Sequence, residues 1–393
     1  MQNYTFLTKP YLYLLLFIFI GSGLKAQDSI DISVLTCGTG TAEVYQAYGH
    51  TGIRVKNHTK DTDIVYNYGM FSFDEDGFLI KFIQGKLLYF VATEDFDSFM
   101  YDYEYFGRSV REQLLNLSPI QKTELIAALE KNALTENRYY LYDFIYNNCS
   151  TQPRDLIRNT IGTDFKFKTL ATENTETIRE LVDKHMKYNE WLDFGIDLLL
   201  GVRFDKVADA DTRMFLPAEL MVEFDSTIYH GEPIIADSRI LYHGTEQIIP
   251  KILDPTLLFW IILAITMLLQ VFFPTSTFRK AMAFTYLIFT GIIGWILTFM
   301  WVGTDHYMTK WNYNLLWAIP IYFPLAIFFF KAEQSKFIHL LIKTCRVILV
   351  LLLILWPLNP QQFHSAIIPI ILLLIWSLGV FLSIPRSKKS IIS

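Results

Sequence analysis

Cys149 stands in Tyr146-Asn147-Asn148-Cys149-Ser150-Thr151, ahead of Pro153 and an apolar-periodic run (Leu156, Ile157, Ile161) that predicts a helix closed by Gly162. A cysteine in the first turn of a helix meets the positive end of its dipole, which favours the thiolate, the nucleophilic form. Such a thiol needs a base within hydrogen-bond reach, and histidine is the usual one because its pKa lies near neutrality. Of His50, His58, His185, His230 and His243, His50 is best placed. Gly49 and Gly52 flank it, leaving backbone room for a ligand, and it sits in an alternating stretch that fixes its direction. His58 falls in the polar stretch 56–61, which reads as a hairpin turn. A third group must hold the second ring nitrogen; Asn67 is the candidate, with Tyr66 and Tyr68 competing for it. On the residues alone, a buried inert cysteine and a satisfied histidine stand beside the catalytic reading.

The elements that must position these side chains are legible in outline. Alternation predicts a strand over 48–55, and Val-, Tyr-, Phe- and Leu-rich stretches predict others over 63–68 and 86–92. After Leu117, Ser118 is a good N-cap, Pro119 fits the first helical position and Gln121 completes a capping box. Ile120, Leu125, Ile126 and Leu129 form that helix's expected buried stripe. A second helix is expected from near Asn174 or Thr175 to about Met186, so the domain is α+β. Asp205, Asp209 and Asp211 read as solvated. No metal-ligand cluster, phosphate loop or cofactor motif is evident in the sequence.

The ends of the chain speak for the compartment. Residues 11–20 are an apolar core behind Lys9, and 21–26 end in small residues, which predicts a secretory signal cleaved after Ala26. Apolar runs at 255–273, 281–301, 314–330, 338–357 and 363–383 predict five transmembrane helices. Arg279, Lys280, Lys331, Lys336, Arg386, Lys388 and Lys389 fall in alternate loops or the C-terminus, with only Lys310 in the other set. The positive-inside rule therefore puts the C-terminus in the cytoplasm and residues 27–254 outside. That exported segment carries 22 Lys and Arg against 37 Asp and Glu, a net of −15, which makes nucleic acid an unsuitable partner. Three cysteines make no disulfide framework; Cys345 lies in the fourth run, so only Cys37 is open to pairing with Cys149.

A strand bearing His50 followed by a helix beginning at Asn148-Cys149 resembles the circularly permuted NlpC/P60 branch of papain-like proteins, which includes the lecithin:retinol acyltransferase relatives. That likeness implies a thioester acyl-enzyme taken from a phospholipid. A wider resemblance rests on residues 48–54 (Tyr-Gly-His-Thr-Gly-Ile-Arg), 66–69 (Tyr-Asn-Tyr-Gly), 136–140 (Glu-Asn-Arg-Tyr-Tyr) and 148–151 with Arg154-Asp155, together with 214–217 and 312–317. These look like the bacterial DUF4105 family, associated with the Lnb-type lipoprotein N-acyltransferases of Bacteroidetes. The implied architecture is an α+β permuted NlpC/P60-like periplasmic domain (27–254) followed by an all-α bundle of five transmembrane helices (255–393) in the inner membrane.

The implied reaction moves an acyl chain from a phospholipid, through Cys149, to the α-amino group of a diacylglyceryl-cysteine lipoprotein. His50 would then be the base and Asn67 its orienting group. Backbone N–H groups at the start of the Cys149 helix would supply an oxyanion hole, with Asn148 and Ser150 beside the substrate. Arg54, on the His50 side of its strand, would bind lipid phosphate, or else make an ion pair. Tyr68, Arg138 and Arg108 are further substrate-contact candidates, while Arg108 and Arg138 also read as structural arginines. The external loop 303–314 adds His306, Asn312 and Asn314, with Trp317 following, as groups suited to a head group, although an aromatic belt is the ordinary reading. A membrane-tethered cysteine hydrolase, of peptidoglycan or lipid, and a non-catalytic binding or transport protein are the alternatives.

Overall fold

The computed structural model describes residues 29–162, 165–167, 175–186, 189–245, 253–273, 275–328 and 334–385; the expected signal segment lies outside them. Seven strands, β1 (Ile30–Cys37), β2 (His50–Asn57), β3 (Thr62–Met70), β4 (Leu88–Asp95), β5 (Val110–Leu115), β6 (Tyr139–Leu141) and β9 (Ile235–Tyr242), form one sheet. Its order is β6-β4-β3-β2-β1-β5-β9, every neighbouring pair antiparallel. Strands β7 (Ile228–Tyr229) and β8 (Glu232–Pro233) make a separate ribbon. Helices α1 (Phe78–Gln84), α2 (Phe96–Tyr105), α3 (Pro119–Ala133), α4 (Thr151–Ile161), α5 (Ile178–Met186), α6 (Glu190–Leu199), α7 (Ala210–Arg213) and α8 (Pro217–Ser226) complete this half.

β1 is an interior strand, and from Ile32 to Cys37 it is buried on both faces, the polar Ser33 and Thr36 included. Ile32 and Val34 join Ile53, Tyr66, Tyr68, Leu125, Leu129 and Ile157 under α3 and α4. Leu35 and Cys37 join Val65, Phe99 and Val110 under α2. Helix α3 begins where its capping residues expect: the Gln121 amide donates to Ser118 Oγ, the Ser118 amide donates to Gln121 Oε1, and Pro119 follows. Such a cap stabilises a helix by about 1 kcal/mol.

Arg54 is the first departure from expectation. It lies 5 % exposed, its Nε and Nη2 donating to the two Asp63 carboxylate oxygens at 2.7 and 2.6 Å and its Nη1 to Glu112 at 2.9 Å. The guanidinium also sits 3.4 Å over the Phe96 ring. It ties β2, β3, β5 and α2 together, and its charge is neutralised inside the domain rather than offered to lipid phosphate. Tyr68 is likewise a core residue, 1 % exposed, its hydroxyl accepting from Asn132 Nδ2 at 3.0 Å.

In the membrane half, α9 (Pro255–Phe272), α10 (Ser276–Val302) and α12 (Lys336–Ile354) are long and apolar enough to cross a bilayer, and α13 (Ile367–Leu382) is a shorter apolar helix. Among the described residues the expected third span is broken. Residues Tyr313–Leu316 form a 3-10 turn, and α11 (Tyr322–Ile327) is six residues long. Pro320 lacks the N–H that a helix interior needs, which breaks the run, whereas Pro324 falls in the first turn of α11, where that N–H has no intrahelical partner. Gly291 and Gly294 of α10 let the broken segment approach closely, since a Cβ at either would lie 2.3 or 2.2 Å from the backbone of Phe323 or Ala318.

The loop residues expected at a head group instead clamp the two halves together. Asn312 Nδ2 donates to the carbonyls of Leu198 and Leu199 at 2.7 and 3.1 Å, and Asn314 Nδ2 to Asp197 and Leu198 at 2.9 and 3.2 Å. These are carbonyls at the C-terminal end of α6, which a helix leaves unpaired. Trp317 Nε1 in turn donates to Asn314 Oδ1 at 2.8 Å. All three side chains are buried, so substrate contact gives way to structure. Asp205, expected to be solvated, is buried against Arg179 at 2.8 Å. Asp209 caps α7, and Asp211 pairs with Arg158.

Candidate active site

Cys149 lies at the end of the sheet where β2 begins and β3 finishes. It sits one residue before the N-cap of α4, which is Ser150, rather than in the helix's first turn. The reason is Asn148. Its Oδ1 accepts from the Ser150 and Thr151 amides, both at 2.9 Å, while its Nδ2 donates to the Phe144 and Phe215 carbonyls at 2.7 and 2.8 Å. Asn148 is therefore fully occupied in shaping the turn. It also consumes two of the N–H groups expected to serve as an oxyanion hole.

The Thr51 amide, the Ser150 hydroxyl and the Cys149 amide itself act on the thiol in the direction that lowers its pKa. Thr51 Oγ1 and Ser150 Oγ lie 2.9 Å apart, joining β2 to the start of α4. Gly69 closes the other side. Its φ of +83° suits glycine, and a Cβ there would stand 3.1 Å from Cys149 Cβ. Gly49 and Gly52, expected to leave room for a ligand, leave it for the fold instead. A Cβ on Gly49 would meet the Cys37 carbonyl oxygen at 2.5 Å, and one on Gly52 would meet Val65 at 3.1 Å and Asn67 Oδ1 at 3.3 Å.

His50, next to Thr51, is half-buried. Its Nε2 lies 3.1 Å from Asn67 Oδ1, and Asn67 Nδ2 donates to Glu94 Oε1 at 2.6 Å. An amide oxygen only accepts, so the neutral imidazole carries its proton on Nε2 and its lone pair on Nδ1. Glu94 fixes the amide's orientation, and its own carboxyl is pushed up, by burial first and then by Asp102.

Burial governs the protonation of the pair. It lowers the His50 pKa to about 4, against the opposing hydrogen bond that His50 donates to Asn67, and it raises that of Cys149 despite the neighbouring groups that act to lower it. Desolvation outweighs any dipole contribution here, so at neutral pH the resting state is thiol beside neutral imidazole. Arg108 adds a positive field that lowers both pKa values. It is held by its Nε donating to the Gly38 carbonyl at 2.9 Å and by the Tyr103 ring, 4.8 Å away.

Cys37 is buried opposite His50 in the β1–β2 register, its thiol pushed up to about 12 by burial, and both it and Cys149 are free thiols. Arg138 lies at the β4–β6 edge, stacked with Phe90 and Tyr139 and donating to the Tyr139 hydroxyl. His306 donates from Nε2 to the Phe82 carbonyl at 3.1 Å, and the next residue, Tyr307, packs edge-on against Tyr146. Arg108, expected as a structural arginine, acts on the site through its field, while Thr51, Gly69 and Glu94 shape the site without having been singled out in the sequence. Glu94 falls beyond the expected end of its strand at 92, while Thr51 and Gly69 sit in motifs where attention goes to their neighbours.

Searches among curated proteins and among solved structures return no match. Two family models do match: the Lnb N-terminal periplasmic domain over residues 26–184 and the Lnb transmembrane domain over 247–389. The two describe the two halves of one architecture and together span most of the chain, a multi-pass membrane protein with a periplasmic domain. The protein belongs to the Lnb family.

Proposed function

We propose that this protein is a lipoprotein N-acyltransferase of the inner membrane, acting through Cys149 with a permuted NlpC/P60-like arrangement of base and nucleophile. The observation that carries the reading is the His50–Asn67–Glu94 chain ending beside the turn that holds a half-buried thiol. With Nε2 committed to Asn67, Nδ1 is the nitrogen left to take the Cys149 proton. The thiolate then attacks the ester carbonyl of a phospholipid. The carbonyl oxygen becomes an oxyanion, for which the Thr51 and Cys149 amides are the available donors; loss of one such donor typically costs on the order of 100-fold or more in rate.

Collapse breaks the C–O ester bond, and imidazolium returns its proton to the lysophospholipid alkoxide. The acyl group waits as a thioester. The α-amine of a diacylglyceryl-cysteine lipoprotein attacks it, forming the amide and breaking the C–S bond. His50 takes the amine proton and returns it to the sulfur, so the cycle closes without a cofactor.

The test is expression in a strain lacking its own N-acyltransferase, followed by mass spectrometry of a lipoprotein N-terminus. Triacylated product with the unsubstituted protein and none with Cys149→Ser is expected. Free-amine diacyl product in both would remove the assignment, and release of free fatty acid alone would make the protein a hydrolase.

A further inference from the structure

Helix α1 has no buried residue, yet it is Phe-Leu-Ile-Lys-Phe-Ile-Gln. Leu79 and Ile80 stand 65 % and 63 % exposed, and Phe73, just before the helix, 68 %. A patch of this kind calls for a partner. The helix is fastened to the membrane half: the Asp305 amide donates to the Gln84 carbonyl at 2.8 Å and His306 to the Phe82 carbonyl at 3.1 Å. Those two residues follow Val302, the last residue of α10, by three and four positions. Helix α1 is thus held at the level where α10 leaves the bilayer.

From α1 an aromatic row leads back to the thiol. Ring centroids lie 6.1 Å apart for Phe82 and Phe78, 5.9 Å for Phe78 and Phe71, and 5.7 Å for Phe71 and Tyr45. Phe71 follows Gly69, which abuts Cys149, by two residues, and Tyr45 belongs to the 3-10 turn Val44–Tyr48 that leads into His50. On α10, Ile292, Trp295 and Phe299 line an apolar groove with Phe323 of α11; at their helical spacing the next turn brings Gly303, where the loop to Asp305 starts.

We infer that α1 lies in the outer leaflet and that its aromatic row guides one acyl chain of a membrane lipid from the bilayer to Cys149. This rests on the acyl transfer proposed above and assigns its donor site. The occupant is a lipid chain because one end of the row is bonded to the loop that leaves a membrane-spanning helix and the other end lies two residues from Gly69, which abuts the Cys149 side chain.

Two measurements on the full-length protein in phosphatidylethanolamine–phosphatidylglycerol nanodiscs test it. Leu79→Glu with Ile80→Glu alters only exposed side chains. Acylation of Cys149 from bilayer lipid, read by intact mass, should fall at least tenfold, while acylation by the soluble short-chain ester p-nitrophenyl butyrate should stay within twofold. Equal rates on bilayer lipid would overturn the inference. If the unsubstituted protein takes acyl from neither donor, the proposed activity fails, and the placement of α1 is still read by a spin label at Ile80→Cys in a Cys149→Ser background. Collisions with oxygen should exceed those with a water-soluble nickel chelate at position 80 and fall below them at Lys60→Cys. A water-exposed label at position 80 would sink the inference.

Discussion

At the scale of the residue, the question is which of two effects sets the charge of Cys149 and His50. Asn148 takes up the α4 amides that would have favoured a thiolate, and desolvation does the rest. The base is therefore available wherever the imidazole is neutral, down to about pH 4. An unshifted histidine would lose most of its basic form below about pH 6.5. Sign and window follow: acyl-Cys149 formation in single-turnover assays should persist at pH 5.5 and fall only as pH drops towards 4. An acid limb centred near 6.5 would contradict this account of the pair. Cysteine and histidine stand out in the sequence by type alone. The amide–carboxyl support behind His50 does not, because Asn67 and Glu94 come together only through the β3–β4 pairing.

At the scale of the element, what was legible follows local rules and what was not follows tertiary contacts. The strand bearing His50 and the helix Pro119–Ala133 declare themselves through alternation and a capping box, both of which act within a few residues. The interruption at 313–327 escapes a hydropathy window, since Trp317, Ile319, Ile321 and Tyr322 count as apolar whatever Pro320 does to the backbone. The buried fates of Arg54 and Asn314 need partners 58 and 117 residues away in sequence. Asn314→Ala leaves the C-terminal carbonyls of α6 short of donors in a dry interface, a loss of about 1–3 kcal/mol for a buried unsatisfied group. Faster amide hydrogen exchange across 194–205, with the β-sheet unaffected, is the expected signature. Unchanged protection there would show that the clamp carries no weight.

At the scale of the whole molecule, the two halves meet through a cluster of buried ionisable groups. Arg179, fully buried, pairs with Asp197 and Asp205, and Asp183 of α5 faces Asp193 of α6, with His364 of the membrane half 3.9 Å from Asp193. Burial, with neighbouring carboxylates adding to it, raises the Asp183 and Asp193 carboxyls above their ordinary range. A raised carboxyl withdraws stability as pH climbs from its unfolded pKa, about 4, through its folded one, because the unfolded chain ionises first. Asp183→Asn should therefore raise the melting temperature more at pH 8 than at pH 5. The same increment at both values would place Asp183 in water.

The Ser150 and Thr151 amides, held by Asn148, have one more consequence, for survival between encounters. Peroxide and adventitious electrophiles attack thiolates, and they need a charged sulfur in reach. A sulfur that rests as the thiol, its pKa raised by burial, presents little to either. In a periplasmic domain, beyond the cytoplasm's thiol-reducing systems, a sulfur held in that form stays unspent.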